Sequence, residues 1–277
     1  MFNSIKKINW RRVTYLFTWV LALAGFFVLM GFINTKKNEI ACKGVKIIVP
    51  GSQAFVSQED VFDIIEESEG PLTGHLLKNV PIHELENKLA QNPFIQSVKV
   101  FTEMDGMVHV KIEQREAIMR IINNVGNDFY IDKEGVKFPT SKLYAPHIIV
   151  ANGNVSERFD GKRDTVRSTL VKDLCKVADF LGKDSLWNSQ VEQLYVNEEQ
   201  DIEIVPRVGN QKIVLGNADS LPNKFNRLMV FYKEIIPKAG WGTYKTVNLK
   251  FANQIVCEKA DSIIQKEKNN KQHINTH

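Results

Sequence analysis

The chain has 277 residues, 36 of them basic and 32 acidic, with 43% hydrophobic content and three cysteines. Four basic residues, Lys6, Lys7, Arg11 and Arg12, fall in an acid-free N-terminal stretch, so the rest balances at 32 against 32. A net charge of +4 confined to one end removes the main support for nucleic-acid binding, and the odd cysteine count without zinc-type pairs leaves room for one internal disulfide at most.

Residues 1–12 read as a cytoplasmic tail. Val13–Ile33 is an uncharged apolar run, which as a helix is about 32 Å long against a hydrocarbon core of about 30 Å. The positive charge before it places the N-terminus in the cytoplasm and everything after it outside, with Trp10, Tyr15 and Trp19 in an interfacial belt. The run stops in Ile33-Asn34-Thr35-Lys36 without a small-x-small site, so it predicts a retained anchor rather than a cleaved signal. A linker follows over 34–42.

The segment 43–114 predicts a β-α-α-β-β unit. Val45–Val49 reads as a strand ended by Pro50-Gly51. Ser57 caps a helix with Glu59 and Asp60 in its first turn and Val61, Phe62, Ile64 and Ile65 at helical spacing, broken by Gly70-Pro71. A second helix runs from Pro81 to Ala90 with Ile82, Leu85 and Leu89 on one face. After Asn92-Pro93, the alternating Val98 and Val100, then Val108, Val110 and Ile112, flank the turn Met104-Asp105-Gly106 as a hairpin.

Residues 115–257 predict a mixed, mostly antiparallel β domain with two helices. Strands are expected at Ala117–Ile122, Phe129–Asp132, Val136–Pro139 and His147–Val150. Asp164 is placed as the cap of a helix with Val166, Leu170, Leu174, Val177, Ala178 and Leu181 on its apolar face, closed by Gly182. Further strands fall at Val191–Val196, Ile202–Val205 and Lys212–Leu215. A last helix from Leu221 to Ile236 aligns Leu221, Phe225, Leu228, Tyr232 and Ile235 and ends at Pro237. Lys245–Val256 then alternates as one closing strand, Val247, Leu249, Phe251 and Ile255 against Thr246, Asn248, Lys250 and Gln254. Residues 258–277 are polar and are expected to form a disordered tail. The fold class is therefore α+β. Cys175 is expected as a buried thiol; Cys42 and Cys257 flank the folded region, and whether they pair stays open.

No catalytic constellation is visible. G-x-S-x-G, Walker-type and H-E-x-x-H motifs are absent, and the S-x-x-K match Ser4–Lys7 lies in the short basic tail. The histidines His75, His83, His109, His147, His273 and His277 lack metal-ligand spacing on one element, and His109, opposite in parity to Val108 and Val110, is expected to be exposed. No catalytic, cofactor or metal residue is predicted. A site assembled from distant residues is the remaining route to an enzyme.

The layout resembles the bacterial FtsQ/DivIB division family. Phe55-Val56-Ser57-Gln58-Glu59-Asp60-Val61 is similar to the opening of that family's POTRA domain, and Asn92–Val100 to its second strand. Val110–Ile118 is similar to the passage into the β domain, with Ala117 where the family commonly has proline, a departure expected to soften the hinge. Phe129–Gly135 with Phe138-Pro139, and Val247-Asn248-Leu249-Lys250-Phe251 near the end, are similar as well. The resemblance implies a non-enzymatic scaffold at the septum of the inner membrane. Its ectodomain would bind FtsB and FtsL and help recruit and activate peptidoglycan synthesis. The closing strand Lys245–Ile255 would be a sheet edge to which a partner adds a strand. Lys250, Phe251 and Asn253 would be its selective contacts, together with Lys245, Thr246, Val247 and Ile255, and with Tyr232 and Tyr244 as secondary ones. Phe251 also has the parity of a core residue. The weighed alternatives are another POTRA-bearing protein acting on polypeptide assembly and an anchored extracytoplasmic enzyme.

Overall fold

The computed structural model describes residues 10–37, 40–124, 126 and 128–261, with the side chains of 12, 13 and 30–37 outside the description. Helix α1 (Trp10–Lys37) contains the expected span, and its described side chains from Thr14 to Leu29 are exposed. Among the described residues no helix is long and apolar enough to cross a membrane. The ends of the expected span, Val13 and 30–33, lie outside the described side chains. The N-terminal tail up to residue 9 and the C-terminal tail from residue 262 lie outside the described residues altogether.

The chain divides into two compact units, Met1–Gly51 with Val56–Glu113, and Ser52–Phe55 with Gln114–His277. In the first, β1 (Gly44–Ile48), α2 (Gln58–Glu69), α3 (Ile82–Ala90), β2 (Ile95–Thr102) and β3 (Met107–Gln114) follow the expected order. The sheet order is β1-β3-β2, with β1 parallel to β3. Ser57 Oγ accepts from the Asp60 N–H at 3.0 Å while Asp60 Oδ2 accepts from the Ser57 N–H at 2.8 Å. This reciprocal cap contributes about 1 kcal/mol and fixes where α2 begins. Val61 and Ile65 of α2 and Leu85 and Leu89 of α3 are buried, as are Ile95, Val100, Val108, Val110 and Ile112 of the strands. His109 departs from expectation. It is only 6% exposed, because its ring lies flat on Phe101 with centroids 5.2 Å apart and planes at 10°.

The second unit is built on one ten-stranded sheet. Its strands are β4 (Ala117–Asn123), β5 (Phe129–Asp132), β6 (Val136–Pro139), β7 (Ile149–Gly153), β8 (Asp164–Thr165), β9 (Val191–Val196), β10 (Ile202–Pro206), β11 (Lys212–Gly216), β12 (Tyr244–Asn248) and β13 (Val256–Lys259). They lie in the order β13-β12-β11-β10-β9-β7-β4-β5-β6-β8. Pairs β4/β7, β7/β9 and β11/β12 are parallel and the other six are antiparallel, a mixed and mostly antiparallel sheet. Gly153 at the end of β7 has φ +96°, and a Cβ there would stand 2.3 Å from the Val196 carbonyl of β9. Only glycine permits that approach.

Helices α4 (Thr169–Lys183), α5 (Ser185–Gln190), α6 (Leu221–Val230) and α7 (Ile236–Ala239) pack on this sheet, more helices than the two expected. The cap of α4 is Ser168, whose Oγ accepts from Val171 N–H at 3.1 Å; Asp164 belongs to β8 and Val166 precedes the helix. Gly182 does not close α4, which runs on to Lys183 before Asp184 caps α5. The last helix passes Pro237 through a π-turn over Phe231–Ile235, in which the Ile236 N–H bonds the Phe231 carbonyl. The π-turn resets the phase, so Phe231 and Ile236 are buried while Tyr232 and Ile235 are half-buried. Pro237 then starts α7, where its missing N–H costs nothing. Phe225 of α6 meets Phe180 of α4 at 4.8 Å and Trp187 of α5 at 5.0 Å, joining the helices over the core. The strand expected at His147–Val150 is shifted to Ile149–Gly153.

Two buried ion pairs pin the β4–β8 half. Arg115 Nη1 reaches Asp132 Oδ2 at 2.5 Å, and Asp132 Oδ1 accepts the Glu134 and Val136 N–H groups of the β5–β6 turn. Lys137 Nζ lies 2.9 Å from Glu157 Oε1, and Glu157 also accepts from the Ser168 N–H at 2.9 Å and the Arg167 N–H at 3.3 Å. The segment Ser52–Phe55 completes this half. Gln53 exchanges two hydrogen bonds with the Ala117 backbone, one of them from an N–H that proline would lack. Phe55 packs on Tyr130, Phe138 and Tyr144 at 5.1–5.6 Å.

Candidate partner-binding edge

The closing strand expected over Lys245–Val256 is split. β12 ends at Asn248, residues 249–255 form a loop, and β13 folds back antiparallel with Thr246↔Glu258 and Asn248↔Val256 in register. β12 is thus paired on both sides, to β11 and β13, and the outermost strand is β13. Glu258 and Lys259, expected to open the tail, belong to that strand.

A side chain on α6 and contacts made by the loop accompany the break. Arg227 of α6 reaches across the loop and donates to the carbonyls of Phe251 at 2.6 Å, Leu249 at 3.1 Å, and Gln254. Those carbonyls are taken out of any strand ladder. Asn253 adopts φ +58°, a left-handed conformation that asparagine tolerates. Lys250 Nζ pairs with Asp201 at 2.6 Å, its stem lying over Gly216, where a Cβ would come within 2.7 Å of Lys250 Cγ. Leu249 stays in the core, its N–H donating to the Val214 carbonyl at 2.8 Å.

The expected contact residues fall into three places. Lys250, Phe251 and Asn253 are exposed in the loop, with Ile255 half-buried beside them. Phe251 (47% exposed) in the loop and Val256 (46%) at the start of β13 present apolar surface. Lys245 and Thr246 of β12 turn to β13, Lys245 Nζ 3.1 Å from Glu258 and Thr246 Oγ1 3.1 Å from the same carboxylate. The bond to Lys245 holds the Glu258 carboxyl below, and the Lys245 amine above, their ordinary values. Val247 is fully buried and serves the core. Tyr244 packs on Phe231. Tyr232 lies away from the hairpin loop, against Trp241 in a cavity of about 190 Å³ lined also by Leu186, Trp187 and Met229. Its hydroxyl accepts from Gln211, and burial raises its pKa. Arg227 is not among the residues that the sequence pattern singles out. A cation in the last turn of α6, over a stretch with strand-like alternation, was the available signal.

The cysteines Cys42, Cys175 and Cys257 are free thiols.

A family model described as FtsQ/DivIB, C-terminal related, matches residues 116–258, most of the second unit. A model of a POTRA-like domain matches residues 40–113. No curated protein matches the chain. The first match covers just over half of the sequence, and the chain belongs to the FtsQ/DivIB family, the non-enzymatic scaffolds of bacterial cell division.

Proposed function

We propose that this protein is a single-pass divisome scaffold of the inner membrane, anchored by α1 with its C-terminal units outside the cytoplasm. It binds FtsB and FtsL and helps recruit and activate septal peptidoglycan synthesis. The observation that carries the binding mode is the position of β13 at the end of the sheet order. An edge strand offers main-chain donors and acceptors to an incoming strand, which gains affinity from the backbone and selectivity from flanking side chains. The Ala260 N–H donates inward to Thr243. Two-residue alternation therefore directs the Glu258 N–H inward and the Cys257 N–H to the open side. Phe251 and Val256 supply apolar contacts beside that edge, with Lys250 and Asn253 at its polar rim. Support for the anchor is the uncharged run Val13–Ile33 behind an acid-free basic tail.

The test is co-purification of FtsB from membranes. Cys257→Pro removes one outward donor, and Phe251→Glu charges the apolar flank, while Cys257→Ala is the control. The expected result is loss of FtsB with Cys257→Pro and Phe251→Glu and retention with Cys257→Ala, with all three proteins giving wild-type thermal unfolding. Wild-type recovery of FtsB by the folded Cys257→Pro variant would overturn strand addition at β13.

A further inference from the structure

The β2–β3 turn of the first unit brings together three donors that the scaffold role does not use. His109 Nε2 is buried and has no hydrogen-bond partner among the described residues, and it points between two carboxylates, 3.5 Å from Glu103 Oε2 and 3.6 Å from Asp105 Oδ2. Both separations exceed the range of an N–H···O bond, about 2.7–3.2 Å. They match two corners of a tetrahedron around one ion, which for Zn–N and Zn–O bonds of about 2.0–2.1 Å are about 3.3 Å apart. All three ligand atoms lie within 4.8 Å of one another.

We infer that Glu103, Asp105 and His109 form a site for a divalent transition-metal ion of the Zn²⁺ class, with water in the remaining position. One imidazole nitrogen with two carboxylate oxygens favours Zn²⁺, Co²⁺ or Ni²⁺ over Mg²⁺ or Ca²⁺, which prefer all-oxygen sets. The donors are held in place before any ion arrives. Asp105 Oδ1 accepts the Met107 N–H at 2.8 Å, leaving Oδ2 toward His109. The turn itself is closed by Gly106 N–H to the Glu103 carbonyl at 3.3 Å and Glu103 N–H to the Met107 carbonyl at 3.2 Å. The Phe101 ring fixes the imidazole plane. Glu103 and Asp105 are about half exposed (53% and 50%), so the ion has an open path from solvent. Lys43 Nζ, bound to the Asp105 carbonyl at 2.7 Å, adds positive charge beside the site. That charge weakens cation binding relative to the same three donors alone. The bound ion clips the two strands of the hairpin across their turn and satisfies the orphaned imidazole nitrogen.

The experiment titrates the full chain in detergent with Zn²⁺ by calorimetry, compares Mg²⁺, and repeats both with a Glu103→Gln/Asp105→Asn double variant. The amide introduced by Asp105→Asn retains an acceptor for the Met107 N–H, and both positions are solvent-facing, so the hairpin is kept; thermal unfolding without metal checks this. Expected are one equivalent of Zn²⁺ bound by the wild type and lost or weakened at least about tenfold in the double variant. Zn²⁺, but not Mg²⁺, also raises the unfolding temperature of the wild type, and this increment disappears in the variant. A double variant that folds normally and binds as many equivalents with the same affinity overturns the site. So does a wild type with no saturable equivalent, whose three side chains then form a charge pair only.

Discussion

At the β6–β8 end of the sheet, Lys137 and Glu157 are both almost inaccessible to solvent, and the carboxylate is filled by an ammonium and two backbone N–H groups. At the β12–β13 end, Lys250–Asp201 and Lys245–Glu258 lie at the surface, and Arg227 holds the intervening loop through carbonyls alone. One end is pinned by charge that has nowhere else to go. The other is held by contacts that water can replace. For the strand addition proposed at β13, this asymmetry would let the buried pairs hold the sheet in register while the surface contacts at the other end exchange with water.

The largest expected effect comes from unbalancing the pinned end. Glu157→Gln keeps an oxygen for the Ser168 and Arg167 N–H groups but leaves the Lys137 ammonium buried without its charge partner. Breaking a buried pair costs about 3–5 kcal/mol, and Asp164 Oδ2, still 3.5 Å from Lys137 Nζ, places this variant near the lower bound. Urea unfolding followed by hydrogen exchange at β6 measures it, and Lys137→Met added to Glu157→Gln is expected to restore most of the loss. If the single variant unfolds like wild type, the two ends are not secured differently.

Acid sharpens the same contrast. Burial pushes the Glu157 carboxyl upward, but the Ser168 N–H, the Lys137 ammonium and the Arg167 N–H outweigh it, so its folded pKa lies below the ordinary 4.5. A lowered folded pKa contributes stability that is complete above about pH 4.5 and disappears as the pH falls through the folded value. Wild type should therefore lose more stability than Glu157→Gln between neutral pH and about pH 3, read from parallel urea midpoints. Equal losses would remove Glu157 from the pinning role.

Arg227→Ala addresses the open end. Three carbonyls lose a donor, yet each can turn to water, so the net cost is about 1–2 kcal/mol rather than the sum of three bonds. The expected signature is local: faster hydrogen exchange over 249–259 with β4–β6 unchanged. Uniform acceleration across the sheet would mean that the loop clamp supports the whole unit.

These contacts also explain which parts of the fold could be read from sequence. The β-α-α-β-β order was legible because Ser57 and Asp60 cap α2 from within its own first turn and the valines of β2 and β3 alternate locally. Asp164 was misplaced as a cap since Glu157, upstream in sequence, already satisfies the Arg167 and Ser168 N–H groups and moves the helix start to Ser168. The alternation of Val247, Leu249 and Phe251 mimics a continuous strand, and only Arg227, on another element, removes the carbonyls that would continue it. The burial of His109 depends on Phe101 reaching over from the neighbouring strand, a relation no local period encodes. The candidate edge was therefore legible as a region but not as a strand: Val247 went to the core, and β13 took the outer position.

The smallest effect separates the ends through their thiols. Burial pushes Cys175 of α4 up to about 12, so at pH 8 only about one part in ten thousand is thiolate, the form that reacts. Cys257 on β13 is half-buried, and its pKa is raised by burial as well, yet it lies on the strand at the end of the sheet order. Maleimide labelling of the folded full chain should therefore reach Cys257 well before Cys175. Arg227→Ala should accelerate the first reaction and leave the second unchanged, because releasing the loop exposes β13 without changing any side chain of α4, which carries Cys175. Labelling of Cys175 at the same rate as Cys257 would place the flexibility in the α4 layer, and the sheet would then be loosest where its buried charges lie.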